Sequence, residues 1–144
     1  MEEAKAARAR DEVPIGAVIV DGSGKIIARS GNSSREFQDP SAHAEILVIR
    51  KACEKAVAQR IPECTMYVTL EPCAMCAAAI SFARIKHVIF GASDAKGGGV
   101  LHGGKFYEQH TCHHKPAVSH GLMASDCGQI LKDFFKLKRK SNLT

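Results

Sequence analysis

Long apolar runs are missing from this sequence, and their absence excludes a membrane-spanning helix. No stretch approaches the roughly 20 apolar residues that such a helix needs. The first twelve residues, MEEAKAARARDE, also lack the apolar core of a secretory signal. The cytoplasm is therefore the expected compartment, and cysteines there are expected to stay reduced.

Internal repeats and linker-like segments are absent too, so the 144 residues are expected to form one domain, residues 1–144. Hydrophobic residues make up 45% of the chain and charged residues 24%, which is typical of a globular protein. The chain has six cysteines, which we interpret as thiols or metal ligands before disulfides.

Positive charge is in modest excess, with a net charge of +5 at pH 7. The segment KDFFKLKRK, residues 132–140, holds five basic residues and one acid. Basic residues beside aromatic ones suit a polyanion such as nucleic acid. The same run is typical of a solvated helix end, where cations interact favourably with the helix dipole. Taken alone, the tail favours this second interpretation.

The order of strand and helix patterns predicts an α/β fold. A helix over residues 1–12 precedes a hairpin of strands over 13–20 and 25–30, joined by the turn DGSG. Further strands are predicted over 65–70 and 86–92, with a weak one in AVSHG. Strands that alternate with helices around one sheet predict a three-layer α/β/α sandwich, and the hairpin makes its five-stranded sheet mixed.

Three more helices are predicted from capping signals and helical spacing. Asp39 is a suitable N-cap and Pro40 suits the first helical position of the second helix. Pro72 suits the first position of the third helix. The stretch from Leu122 to the basic tail is an amphipathic closing helix, and the Gly- and His-rich segment before AVSHG is expected to be a loop with one short helix.

The residues with metal-ligand chemistry lie at two of these predicted helix starts. Cys73 and Cys76 are three apart, so both sulfurs share one helical face, and a helix N-terminus favours the thiolate that binds zinc. His43 supplies a nitrogen ligand from the start of another helix. Three protein ligands leave a fourth tetrahedral position open, which is typical of a catalytic zinc site.

Glu45 follows His43 by two residues and points elsewhere on the helix. It is therefore a candidate general base beside the metal rather than a fourth ligand. A lone C-x-x-C is weak evidence, because redox sites and structural zinc half-sites share it. The combination H-x-E followed by P-C-x-x-C is the signature of the zinc nucleobase deaminases.

The chain also resembles the bacterial tRNA-specific adenosine deaminases, a branch of the cytidine deaminase-like zinc fold, over nearly its whole length. The segments that carry the resemblance are EVPIGAVIVD, GN at 31–32, DPSAHAEI, MYVTLEPCAMCAAAI, VIFGASDAKGG and SDCGQILKDFFKLKR.

The resemblance implies a reaction and a set of partners. The family hydrolyses the wobble adenosine of a tRNA anticodon to inosine, with a zinc-activated water attacking C6 of adenine. One Zn²⁺ per subunit would be held by His43, Cys73 and Cys76, and Glu45 would shuttle protons. Family members act on the anticodon stem-loop as homodimers.

The resemblance also implies roles in substrate binding. Asn32 stands where the family holds the flipped base, and the backbone at Ala44 borders that pocket. Asp94 and Lys96 lie where the family contacts RNA. Of the two tail phenylalanines, one is expected to pack in the core and the other, Phe135, to border the RNA.

The sequence departs from the family pattern in places. The first helix is shorter than usual, and CAAA replaces the small-glycine pattern that the family has after Cys76. The segment VLHGGKFYEQHTCHHKPAV, residues 100–118, differs most, and it carries His102, His110, Cys112, His113 and His114. These side chains could bind a second metal, but an exposed His-rich loop is the preferred interpretation.

Two other functions compete with tRNA deamination. A related zinc enzyme could deaminate a free base or nucleotide of the guanine or cytosine type, although such an enzyme has no need of a basic tail. A non-enzymatic RNA-binding subunit could keep a structural zinc, but it would have no need of Glu45.

Overall fold

The computed structural model describes residues 1–142, and in that part of the chain four α helices surround a five-stranded sheet. The two remaining residues of the predicted domain, 143–144, lie outside the described part. The helices are α1 (Glu2–Ala9), α2 (Ala44–Ala56), α3 (Ala74–Phe82) and α4 (Ala124–Ser141). The strands are β1 (Gly16–Val20), β2 (Ile26–Gly31), β3 (Thr65–Leu70), β4 (His87–Ala92) and β5 (Ala117–His120).

The sheet has the order β2-β1-β3-β4-β5. Strand β1 runs antiparallel to both β2 and β3, whereas β3, β4 and β5 are parallel to one another. Parallel strands cannot be joined by a tight turn and need a long connection. Helix α3 lies in the connection from β3 to β4, and the segment with the 3₁₀ turn Phe106–Glu108 lies in the connection from β4 to β5. The predicted mixed, five-stranded sheet is therefore confirmed.

Side chains of alternate strand residues divide between the two faces of the sheet. One face packs against α2 and α3 and forms the main core, whose largest strand members are Ile19, Met66, Val68, Val88 and Phe90. Helices α1 and α4 cover the other face. Both helices lie very close to the strands. A Cβ added to Gly16 of β1 would clash with Glu3 of α1, and a Cβ added to Gly91 of β4 would clash with the sulfur of Cys127 in α4. This arrangement confirms the three-layer sandwich.

The predicted starts of α2 and α3 are wrong. The Asp39 carboxylate does not cap a helix, because its Oδ1 accepts from the backbone N–H of Ser41 at 2.8 Å and so closes a turn ahead of α2. The residues that cap α2 and α3 are His43 and Cys73. Both proline signals thus mark the loop that leads into a helix rather than its first turn.

Helix α1 is also shorter than predicted, since it ends at Ala9 rather than at residue 12. Asp11 has a φ of 63°, in the left-handed region that stops a helix and that Asp tolerates better than most residues. The short helix predicted in the His-rich segment is a 3₁₀ turn, Phe106–Glu108, and the weak strand in AVSHG forms as β5. None of the helices within residues 1–142 is long and apolar enough to cross a membrane.

Candidate metal centre and substrate pocket

The candidate metal site is formed where α2 and α3 begin. Both capping residues are extended, with φ −71° and ψ 152° at His43 and φ −69° and ψ 174° at Cys73. An N-cap side chain usually accepts a hydrogen bond from its own helix, but neither of these does so. Their side chains instead face each other, and Cys76 joins them from the first turn of α3.

The distances in this group match those of a tetrahedral zinc site. The Nδ1 atom of His43 lies 3.6 Å from the Cys73 sulfur and 3.5 Å from the Cys76 sulfur. Zn–S and Zn–N bonds of ~2.3 and ~2.0–2.1 Å at tetrahedral angles put sulfur and nitrogen about 3.6 Å apart. All three ligand atoms lie within 4.8 Å of one another. Histidine and cysteine are the donors that zinc prefers, so the residues present fit this metal.

The two thiols share one negative charge. A hydrogen bond from the Cys76 thiol lowers the pKa of Cys73 to about 4, with His43 adding to this shift and burial opposing it. The pKa of Cys76 is raised, first by the same hydrogen bond and then by burial. The pKa of His43 is raised chiefly by its hydrogen bond with Cys73. One sulfur is therefore ionised in advance, and a bound metal must displace the proton of the other.

Glu45 lies against this group, inside the protein. Only 4% of the residue is exposed. Burial raises the pKa of its carboxyl to about 7, while its own backbone N–H, His43 and a hydrogen bond with Cys76 act in the opposite direction. A carboxyl that titrates near neutral pH can both take and return a proton, which is what a general acid–base group must do.

The residues predicted to hold the base lie next to the metal ligands. Asn32 is 4% exposed, and the backbone N–H that follows it, from Ser33, donates to the carbonyl of Ala42 at 3.0 Å. Ala42 directly precedes His43. Ala44 is fully buried and is the first residue of α2, where N–H groups have no partner within the helix. The structure thus brings Asn32 and Ala44 to the same place as the ligands.

Asp94 and Lys96 lie in a loop beside the start of α3. The carboxylate of Asp94 accepts from the backbone N–H groups of Lys96 and Gly97, at 3.1 and 3.0 Å, so its Oδ1 stabilises its own turn. The loop is fixed to α3 because the N–H of Gly99 donates to the carbonyl of Pro72 at 2.8 Å. Lys96 is exposed at the surface of this loop.

Phe135 lies apart from these residues, in α4 on the opposite face of the sheet. Its neighbour Phe134 is buried, whereas Phe135 is 43% exposed, and their rings meet edge to face at 5.4 Å. The prediction that one phenylalanine packs in the core is therefore confirmed. The role of Phe135 at the RNA stays a prediction.

The side chains of the described His-rich segment, residues 102–114, do not gather into a group that could hold a metal ion. Within residues 1–142, the three ligands at the starts of α2 and α3 are the one group of His, Cys, Asp or Glu side chains close enough to hold an ion. Cys112 donates to the carbonyl of His114 at 3.1 Å, and the His114 ring bonds the carbonyl of Ile85 at 2.8 Å. His110 and His113 are exposed.

Two buried carboxylates near the site are missed by the sequence patterns. Glu71, two residues before Cys73, is 2% exposed and accepts from the N–H groups of Asp94, Val100, Leu101 and His102. These bonds and one from the His102 ring hold the pKa of Glu71 below its usual value, although burial acts against them. Glu12 is 1% exposed. Neither residue has a sequence signal of its own, because each bonds a loop that lies 20 or more residues further along the chain.

Comparisons with known proteins agree with this fold. A family model described as MafB19-like deaminase matches residues 1–139, so the class defined here is a deaminase. A tRNA-specific adenosine deaminase of Agrobacterium fabrum (strain C58 / ATCC 33970) is 58% identical over 137 residues, covering 95% of this chain and 90% of that protein.

Two solved structures extend the comparison. One comes from studies of A-to-I editing by tRNA:A34 deaminases at the wobble position of transfer RNA. It has a TM-score of 0.88 at 58% identity and covers 90% of this chain and 94% of the other. A guanine deaminase from Bacillus subtilis has a TM-score of 0.61 at 42% identity, but covers only 64% of this chain and 59% of its own. The chain belongs to the family of tRNA-specific adenosine deaminases, which confirms the resemblance.

Proposed function

We propose that this protein hydrolyses the wobble adenosine of a tRNA anticodon to inosine. The observation that carries the proposal is the buried Glu45 carboxyl against the group formed by His43, Cys73 and Cys76. A binding subunit would have no use for a carboxyl buried against this group. The whole-chain similarity to tRNA-specific adenosine deaminases supports adenosine in RNA as the substrate.

The metal in this proposal is one Zn²⁺ per chain, held by His43, Cys73 and Cys76. When bound, zinc acts as a Lewis acid that makes a water molecule nucleophilic at neutral pH. Zinc binds cysteine as the thiolate and histidine as the neutral imidazole. Because its pKa is lowered, Cys73 already carries the negative charge that a dication requires. That positive charge also moves the pKa of Glu45 back down.

Glu45 moves the protons in the proposed reaction. Its carboxylate takes a proton from the attacking water and delivers it to N1 of adenine as the oxygen adds to C6. The same side chain then takes the proton of the new C6 hydroxyl and delivers it to the amine, so that the C6–N bond breaks, ammonia leaves and the C6 carbonyl of inosine remains. Burial of Glu45 keeps these transfers away from bulk water.

The remaining predicted residues bind the RNA in this proposal. The adenine leaves the anticodon loop, which is single-stranded and therefore easily unstacked, and enters the pocket beside Asn32 and the backbone of Ala44. Asp94 and Lys96 contact the nucleotides around it from the loop next to α3. Phe135 and the basic residues of α4 form an additional surface for RNA.

We also propose that the protein acts as a cytoplasmic homodimer and that residues 1–144 form one domain. Helix α3 supports self-association, because its side chains Met75 and Phe82 are exposed apolar groups, at 39% and 64%. Analytical ultracentrifugation of the full chain measures its mass in solution, and Phe82→Glu should shift a dimer towards monomer. A wild-type mass of 15.5 kDa would contradict the dimer.

The test of the function uses an anticodon stem-loop with adenosine at the wobble position. The protein should convert this adenosine to inosine and leave free guanine and cytosine unchanged. The same stem-loop with adenosine at another loop position is the matched control and should react far more slowly. Turnover of a free base without inosine formation would contradict the proposal, and so would bound zinc with no turnover at all.

A further inference from the structure

Glu12 is a buried carboxylate close to the site, and the proposed reaction gives it no task. It lies between α1 and β1, and only 1% of the residue is exposed. Its Oε1 accepts from the backbone N–H of Glu36 at 2.7 Å. Its Oε2 accepts from the side-chain amide of Asn32 at 3.1 Å and from the N–H of Arg35 at 3.4 Å. Burying a carboxylate is costly unless hydrogen-bond donors surround it, and these three donors offset the cost of burying Glu12.

The contact determines which way the amide of Asn32 points. A carboxylate only accepts hydrogen bonds, so the Nδ2 of Asn32 must face Glu12. Nδ2 also lies 3.2 Å from the hydroxyl oxygen of Ser34, which takes its second hydrogen. Both donors of Asn32 are thus used inside the protein. The amide oxygen, Oδ1, is the atom that Asn32 can offer to a substrate.

Glu12 and its neighbour Arg10 together hold the loop that follows β2. The guanidinium of Arg10 donates to the carbonyl of Asn32 at 3.3 Å and pairs with the carboxylate of Glu36 at 3.3 Å. At its other side the loop bonds to Ala42, the residue before His43, through the N–H of Ser33. The position of Asn32 relative to the metal ligands therefore depends on the segment between α1 and β1.

We propose that Glu12 is a positioning residue of the deaminase, which acts through Asn32 rather than on the substrate. It fixes the place of Asn32 and the direction of its amide, so that Oδ1 is presented to the nucleoside. This inference rests on the proposed function. Glu12 lies outside the metal motifs, so its substitution should impair turnover without removing the metal.

The substitution Glu12→Gln tests this role with little change in volume. Glutamine has an NH₂ group where Glu12 has an oxygen, so it cannot accept from both Asn32 and Glu36. We expect kcat/KM on the wobble-adenosine stem-loop to fall about tenfold or more, as for a buried polar group that loses its partner. Bound zinc should stay unchanged. Glu63→Gln, at an exposed site in the turn before β3, is the matched control and should keep wild-type activity.

A double-mutant cycle with Asn32→Ala separates positioning from general stability. If Glu12 acts through Asn32, Glu12→Gln should lower kcat/KM by less than about twofold once Asn32 is alanine. An equal fold-loss in both backgrounds would overturn the proposal, as would unchanged kcat/KM in the single variant. Glu12→Asp replaces the glutamine variant in the cycle if the latter does not fold.

A second readout is independent of activity. In protein labelled with ¹⁵N at asparagine, the Nδ2 hydrogens of Asn32 should exchange slowly with water, and Glu12→Gln should accelerate this exchange. Rapid exchange in the wild type would overturn the role of Glu12, whatever the enzyme does. Slow exchange in a protein that forms no inosine would contradict the proposed function but support the Glu12–Asn32 contact.

Discussion

His43 and Cys73 perform the same task in two different helices. Each is an extended residue at the N-cap, so its side chain lies ahead of the first turn and is free to act as a ligand. The exposed N–H groups at the start of α3 and the thiol of Cys76 also stabilise negative charge on the Cys73 sulfur. A helix start therefore supplies both the position and the ionisation state of a candidate ligand.

Removal of one ligand should release the metal. We expect His43→Ala to weaken zinc binding more than about 100-fold, beyond the loss seen for residues that only support a ligand. Inosine formation should fall with the metal content, as measured by elemental analysis of the purified protein. Cys112→Ser is the matched control, because it removes a thiol outside the metal group and should leave one zinc per chain. Full zinc content in His43→Ala would show that the ligand set is wrong.

At the scale of the elements, the loop between β4 and the 3₁₀ turn is held by one buried carboxylate. Glu71 accepts hydrogen bonds from four backbone N–H groups of this loop and lies next to the residues that start α3. The backbone passes so close that an added Cβ at Gly98 would clash with Oε2 of Glu71 and with the carbonyl oxygen of Asp94. Only glycine fits there without movement.

Gly98→Ala should therefore lower the free energy of unfolding by about 1–3 kcal/mol, the usual cost of overpacking. The matched control is Gly104→Ala in the same segment, where an added Cβ meets nothing within 4 Å. That change should stay within about 0.5 kcal/mol of wild type. Urea denaturation of both variants provides the comparison, and equal stabilities would show that the loop does not pack on Glu71 as described.

The sequence predicts the elements better than it predicts their ends. Strand β3 forms over the predicted residues, because TMYVTL is a run of β-branched and aromatic residues between Pro62 and Pro72. Helices α2 and α3 start later than their proline signals indicate. His43 and Cys73 are the N-caps, whereas the sequence predicts Asp39 as the N-cap of α2 and Pro72 as the first residue of α3. A local signal cannot show that side chains from two distant segments meet at a candidate metal site and occupy the two N-cap positions.

The same limit explains which site residues the sequence could identify. His43, Glu45, Cys73 and Cys76 stand in short motifs with fixed spacing. Glu12 bonds a loop that lies 20 to 24 residues further along the chain, and no local spacing encodes such a contact. Buried carboxylates that support loops become visible only when the fold brings donor and acceptor together.

At the scale of the whole molecule, an ion pair joins the two ends of the described chain. Lys138 of α4 lies 2.6 Å from the carboxylate of Asp11, just after α1, and its ammonium stands 5.6 Å from the centre of the Phe134 ring. Arg35 reaches the same carboxylate at 2.6 Å. The hydrogen bond from Lys138, then that from Arg35, lowers the pKa of Asp11 from its usual 3.8.

This shift predicts how stability depends on pH. A carboxyl whose pKa is lowered on folding stabilises the protein above its unfolded-state pKa, near 3.8, and this contribution disappears as pH falls through the lower folded-state value. Asp11→Asn should therefore be less stable than wild type at pH 7, and the difference should shrink below pH 3.8. Asn tolerates the left-handed backbone at this position, so backbone strain does not confuse the comparison.

Thermal denaturation between pH 2.5 and 7 measures this difference. Because the pair is exposed, 1 M salt at pH 7 should also reduce it. A stability difference that is the same at every pH and salt concentration would mean that Asp11 contributes through something other than its charge.

The proposed mechanism divides the chemistry between Glu45, which carries the protons, and the three candidate ligands, which would hold the metal. The measurement that tests it directly compares wild type with Glu45→Gln, recording zinc per chain and inosine formed in the wobble-adenosine stem-loop. We expect both proteins to hold one zinc, and the variant to lose about 10²–10⁴-fold in turnover, the usual contribution of a general acid–base group. If Glu45→Gln kept wild-type turnover at full zinc content, the carboxyl would not carry the protons and the proposed mechanism would be wrong.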